Sequence, residues 1–230
     1  MMNNTDNIVQ LTYLGNSCIM ISSSEGTRIV SDPYGINRPP GLLDLPKDLT
    51  AEAVTVSHIH DDHNNINAVG GNPQILTEPG VFYIENFKVT GLMGWEGSPE
   101  GPSKTMRNIV FVYELGGVKI VQLGDSGIIT DGKVLQTIEN ADLVVVNIDG
   151  YVIAHDQVLS FMHQIHARTV LLAHFTLDGQ ENWCGAPTAE EFVRNFAPSM
   201  KVLRSESKIE IVHGMPEQIA ILQPLMLLQK

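Results

Sequence analysis

Val56-Ser57-His58-Ile59-His60-Asp61-Asp62-His63 gathers three imidazoles and the carboxylate of Asp62 within six residues, His58 to His63. In an extended segment, side chains two apart point the same way, so His58 and His60 can grip one ion from one face. Once the chain turns, Asp62 and His63 swing towards a neighbouring position, and the run can hold one metal or two. Imidazole nitrogen with carboxylate oxygen suits a borderline cation such as zinc, and a catalytic site keeps one coordination position open for water. The short apolar run Ala53 to Ser57 reads as a strand, which puts the cluster at a strand's carboxyl end, where α/β sheets place ligands.

Towards the N-terminus, Ile8 to Leu14, Cys18 to Ser22 and Arg28 to Ser31 read as strands broken at Gly15-Asn16 and Glu25-Gly26, an antiparallel start. Asp32 to Lys47, with Pro33, Pro39, Pro40, Pro46, Gly35 and Gly41, reads as an ordered loop. Asn64 to Val69 is expected to form the first turns of a helix. Strands resume at Phe87 to Leu92, Asn108 to Tyr113 and Val118 to Leu123, the last two joined at Gly116-Gly117. Helix and strand then alternate: helices at Lys133 to Glu139, Asp156 to His166 and Ala189 to Asn195, strands at Leu143 to Asn147 and Thr169 to Ala173, and late strands near Val202 and over Ile209 to Val212. This order fits two mixed sheets sandwiched between helices, a single domain over residues 1–230.

The 230-residue chain is 43% hydrophobic and 17% charged, enough apolar material for one large core. Its 14 Lys+Arg against 26 Asp+Glu give a formal charge of −12, which repels nucleic-acid phosphates and anionic membranes. A small-molecule substrate is expected, with neither nucleic acid nor membrane as partner. The polar N-terminus lacks the features of a signal peptide, and no apolar run reaches membrane-spanning length, so a cytoplasmic location is expected. Cys18 and Cys184 are expected as free thiols. The apolar stretch Ile219 to Leu228 is expected to pack on the core or to build a homo-oligomer interface.

At the histidine run the chain resembles the metallo-β-lactamase superfamily. Ser31-Asp32-Pro33-Tyr34 is similar to the Asp-Pro-Tyr segment of its branch related to L-ascorbate-6-phosphate lactonase. Leu123-Gly124-Asp125-Ser126-Gly127 resembles the segment whose aspartate bridges two metals, and Val170-Leu171-Leu172-Ala173-His174-Phe175 the apolar strand that ends in the last metal histidine. The resemblance implies an α/β fold of four αββα layers and hydrolysis by a metal-bound hydroxide. It assigns His58 and His60 to the first ion, Asp62, His63 and His174 to the second, and Asp125 to both, with Asp62 also orienting the water.

One ligand departs from that pattern. The superfamily offers a third histidine to the first ion from the loop that here reads Leu92-Met93-Gly94-Trp95-Glu96-Gly97, and no histidine stands between His63 and His155. The expectation is one tightly held zinc and at most one weak second ion, with manganese, iron or nickel as alternatives, an indole at Trp95 narrowing the site, and Glu96 as the nearest substitute ligand. Asp32 is expected either to fix a ligand imidazole or to serve the turn before Pro33. Trp95 to Lys104 is expected as a loop over the site, and His155, His163 and His166 as a solvated helix face.

Two functions fit these residues: a metal-dependent hydrolase of a small ester, lactone or phosphate ester, and a catalytically weak metal- or metabolite-binding member of the same fold. A nuclease conflicts with the charge of −12. An amidohydrolase barrel would need about 250 residues and eight strand-helix units.

Overall fold

A computed structural model describes residues 8–98 and 101–227. In chain order the strands are β1 (Val9–Gly15), β2 (Cys18–Ser23), β3 (Arg28–Ser31), β4 (Ala53–Thr55), β5 (Gln74–Leu76), β6 (Gly80–Ile84), β7 (Phe87–Ser98), β8 (Gly101–Leu115) and β9 (Val118–Gln122), then β10 (Leu143–Asn147), β11 (Thr169–Ala173), β12 (Val202–Ser205), β13 (Lys208–Ile211) and β14 (Gln218–Leu222). The helices are α1 (Gly132–Ile138), α2 (His155–Gln164) and α3 (Ala189–Phe196). One sheet runs β13-β1-β2-β3-β4-β5 and the other β12-β14-β11-β10-β9-β8-β7-β6. Their buried apolar residues form one continuous core, so this is the expected α/β sandwich.

Each sheet is antiparallel on one side and parallel on the other, and the parallel parts position the site. β3 pairs parallel with β4, and β9, β10 and β11 pair parallel in turn. Leu143–Asn147 and Thr169–Ala173 are buried at every residue, as strands covered on both faces must be, which explains their unbroken apolar sequence. The crossovers carry the helices. Asp131 caps α1 by accepting from the backbone N–H groups of Lys133 and Val134, and Thr188 with Glu191 forms a capping box on α3.

Two sequence expectations change. Asn64 to Val69 forms only a 3-10 turn at Ile66–Ala68: Asn65 makes no side-chain cap, and the chain pairs as β5 soon after. Among the described residues, all three α-helices therefore lie in connections of the eight-stranded sheet. Trp95 to Lys104 is not a loop, because β7 and β8 carry their ladder outward through Gly97↔Pro102 and Ser98↔Gly101; Pro99 and Glu100 lie outside the described residues. Ile219 to Leu222 packs on the core, since β14 is inserted between β11 and β12, while Leu228 lies outside the described residues. Both cysteines are free, Cys18 buried and Cys184 exposed.

Candidate metal centre

The candidate residues leave the carboxyl ends of five parallel strands. Asp32 follows β3, the run His58 to His63 follows β4, Asp125 follows β9, Asp149 follows β10 and His174 follows β11. Two of them, Asp32 and His174, sit at positive φ (49° and 54°), a conformation that turns the side chain abruptly out of the strand direction. The period of two read from the sequence holds at the metal loop: Ile59 is 74% exposed, while His58 on one side of it is buried.

Six residues converge as two groups. The ligand-capable atoms of His58, His60 and Asp125 lie within 4.8 Å of one another, and so do those of Asp62, His63 and His174. In the first group His58 Nε2 is 3.0 Å from His60 Nδ1 and 3.5 Å from Asp125 Oδ2. In the second, Asp62 Oδ2 lies 3.1 Å from His174 Nε2 and 3.6 Å from His63 Nε2. Asp125 stands between them, its Oδ1 3.3 Å from His63 Nε2.

A second layer of carboxylates orients the imidazoles. Asp32, fully buried, accepts from His63 Nδ1 at 3.1 Å and from the backbone N–H and hydroxyl of Ser57 at 2.7 and 2.9 Å. Because the Ser57 hydroxyl donates to Asp32, its oxygen accepts from His58 Nδ1 at 3.0 Å. Both rings thus keep an N–H on Nδ1 and turn Nε2 inwards. Asp32 is an orienting residue here, and Gln122 adds a further donor to it at 3.2 Å. Asp149 stands beside His174 with Oδ2 3.5 Å from Nδ1, a charge contact without a hydrogen bond. Asn147 donates to Asp125 Oδ1 at 2.6 Å, and Asn16 donates to Asp62.

Sequence reading missed Asp149 and Asn147. The signal was present: both follow the apolar run Leu143 to Val146 at the end of a central strand, between the segments that supply Asp125 and His174. No local motif distinguishes them. His155, expected on a solvated face, instead shares a hydrogen bond between Nε2 and the Ile148 carbonyl, 3.0 Å apart, and lies edge-on to Phe192. His163 is exposed beside Glu217, as expected.

Asp32, Asp62, Glu96, Asp125 and Asp149 are all buried, and among the described residues none pairs with a lysine or arginine. The titration of the site reflects that imbalance. Burial opposes charge on His63, yet Asp125, Asp32 and Asp62 overcome it and push its pKa up to about 10. Burial, helped by His63, drives His58 down to about 4. Burial also raises the carboxyl of Asp62, but the hydrogen bond from His174 and the charge of His63 hold it well below the usual carboxylate range. Burial raises Asp149 and Glu96. Carboxylates in this density fit the binding of a cation.

The segment around the missing histidine differs from expectation. Trp95 lines a hollow with Met93, Ile128, Ile129 and Asp131, which contains none of the six convergent residues. The ladder slips between Trp95 and Gly97, a bulge that frees Glu96 from β8 and bridges it to Ser126 beside Asp125.

Residues 10–174 match the family described as Beta-lactamase superfamily domain. A UPF0173 metal-dependent hydrolase of Carboxydothermus hydrogenoformans is 27% identical over 167 residues, 62% of this chain and 73% of the relative. A candidate Zn-dependent hydrolase of the metallo-β-lactamase superfamily from Thermotoga maritima shares the fold with TM-score 0.73 at 23% identity, covering 93% of this chain and 98% of that one. CmlA, a diiron β-hydroxylase from Streptomyces venezuelae, shares it with TM-score 0.58 at 14% identity over 90% of this chain and 54% of its own. The fold alone thus fixes neither metal nor reaction. With the family matched from β1 to His174, where the second group ends, the chain belongs to the metallo-β-lactamase superfamily.

Proposed function

We propose that the chain is a metal-dependent hydrolase that cleaves a small ester, lactone or phosphate ester. Its ions are held by His58, His60, Asp62, His63, Asp125 and His174. The observation that carries this reading is His63 Nε2, which is buried without a hydrogen-bond partner yet faces carboxylate oxygens of Asp125 and Asp62 at 3.3 and 3.6 Å. Leaving a buried polar atom without a partner costs about 1–3 kcal/mol, and a metal ion coordinated there in place of a proton removes the cost. Zinc is the first assignment, because imidazole with carboxylate suits it.

A bound divalent ion would make water a usable nucleophile at neutral pH and polarise the carbonyl or phosphoryl oxygen under attack. The chain supplies the rest. Asp62 is ionised throughout the neutral range and is a weak base, so it orients the attacking water rather than storing its proton. Asp32 locks the imidazole of His63 directly and that of His58 through Ser57, which keeps those donor atoms from reorganising during the reaction.

The similarity of Ser31 to Tyr34 to the L-ascorbate-6-phosphate lactonase branch supports a lactone or phosphate ester. The charge of −12 supports a small-molecule substrate over nucleic acid. No helix among the described residues is long and apolar enough to cross a membrane. The test is turnover on a panel of lactones, esters and phosphodiesters by protein stripped of metal and reloaded with zinc. Turnover is expected only after reloading, rising with pH through an apparent pKa near ~7. Full turnover after exhaustive chelation contradicts the reading; metal uptake without turnover on any substrate favours the catalytically weak binding protein.

A further inference from the structure

The first group holds only two imidazoles and the shared Asp125 where the second has two imidazoles, its own Asp62 and a share of Asp125. Glu96 is the residue placed to remove that difference. It is 8% exposed, and its backbone bridges to Ser126, the neighbour of Asp125. The backbone on either side is fixed. Gly97 N–H donates to the Asp125 carbonyl at 3.2 Å, Gly127 N–H donates to the Trp95 carbonyl at 3.2 Å, and Gly97 packs so closely on Gly127 that no side chain fits between them. The bulge at Trp95–Gly97 therefore does a specific job: it takes Glu96 out of the ladder and pairs its backbone with Ser126, next to Asp125 of the first group.

A buried carboxylate needs a partner, and Glu96 has no lysine or arginine within salt-bridge distance among the described residues. The charges that act on it most strongly are His60, Asp125 and His63, all members of the two groups. With neutral imidazoles, Asp32, Asp62, Glu96, Asp125 and Asp149 carry five negative charges. One divalent ion would leave most of that charge unmatched in a buried site, whereas two would nearly cancel it.

Building on the metal-centre reading above, we propose that Glu96 replaces the absent third histidine and completes the first position as a set of two histidines and two carboxylates, His58, His60, Asp125 and Glu96. Its carboxylate is not among the atoms that lie within 4.8 Å of one another in that group, so completing the set requires the side chain to move towards the other three. Two consequences follow. The centre binds two ions of comparable affinity, in place of one tight and one weak. The first position is also richer in oxygen than a three-histidine site, which favours manganese(II) and iron(II) relative to zinc.

The test is titration of the metal-free full chain with zinc(II) and, separately, manganese(II), followed by native mass spectrometry and calorimetry. The unmodified protein should take up two zinc ions with affinities within about tenfold. Losing an orienting partner alone costs 10–100-fold in metal affinity, so losing a direct ligand in Glu96→Ala or Glu96→Gln should weaken one ion by about a hundredfold or more and leave the other unchanged. Glu96→His should keep both zinc ions but lose manganese at one position, a shift that a purely structural role would not produce. Thermal unfolding of the metal-free variants checks that the fold is intact. Two equally tight zinc ions in both Glu96→Ala and Glu96→Gln would overturn the proposal, as would one tight and one weak ion in the unmodified protein. A protein that binds no metal at either position would overturn the metal-centre reading itself.

Discussion

The two halves of the centre are built to different standards of rigidity. Asp62, His63 and His174 are all buried; His63 is held by a hydrogen bond to Asp32, and His174 bonds Asp62 through Nε2 with the Asp149 carboxylate 3.5 Å from its Nδ1. In the other half His60 is only half-buried, and His58 reaches Asp32 indirectly, through the Ser57 hydroxyl. One half is preorganised by the parallel strands it grows from. The other is finished by a bulge in the β7–β8 hairpin and keeps some freedom to adapt. A rigid position selects an ion by geometry, and an adaptable one is tuned by whichever ligand closes it.

The largest effect is expected at Asp62, a ligand in the rigid half. Asp62→Ala should cut turnover by about a thousandfold or more, since lost ion and lost orientation together remove several kcal/mol of transition-state stabilisation. Steady-state kinetics with metal analysis checks this; unchanged turnover would remove Asp62 from the mechanism.

Asp32→Ala should blur the contrast between the halves. Asp32 serves His63 directly and His58 through Ser57, so both ions should weaken by about 10–100-fold in calorimetric titration. The protein should also lose about 1–3 kcal/mol or more of stability, because buried donors of Ser57, His63 and Gln122 lose their acceptor. Asp149→Asn should sharpen the contrast, weakening the second ion by about tenfold and sparing the first. Equal weakening of both ions in Asp149→Asn would show that the halves are not separable.

The smallest effect concerns pH in the metal-free chain. His63 is pushed up to about 10 in the folded chain against 6.5 for an unperturbed imidazole, so its contribution to stability is complete below about 6.5 and is lost as pH rises through about 10. His58, at about 4, works in the opposite direction and removes stability as pH falls below about 6.5. Melting temperature of metal-free protein should therefore decline from neutral pH towards pH ~10, and the decline should be weaker in metal-loaded protein, where His63 carries no proton to lose. The same slope with and without metal would detach His63 from the ion.

What was legible in the sequence follows from how local each signal is. His58 to His63, Asp125 and His174 stand in short runs whose residue types and flanking apolar strands announce them, and all six converge. Leu143 to Asn147 and Thr169 to Ala173 were readable to the residue because full burial demands an unbroken apolar run. β5 and β6 were not: Gln74 and Ile75 are exposed on one edge strand, and on the other the exposed positions are the apolar Val81 and the aromatic Tyr83, so the sequence lacks the polar–apolar alternation of a half-buried strand. Asp149 and the re-aiming of Glu96 depend on strands distant in sequence coming side by side, information that no local window holds. The glycines and prolines of Trp95 to Lys104 suggested a loop, yet a hairpin tip tolerates them where few partners are required.

Anomalous diffraction from crystals of the zinc-loaded protein, recorded on both sides of the zinc edge, tests the account most directly. It predicts two peaks, one within roughly 2.6 Å of donor atoms of His58, His60 and Asp125 and the other within the same distance of Asp62, His63 and His174. Peaks elsewhere on the molecule, or none between these six side chains, would contradict it.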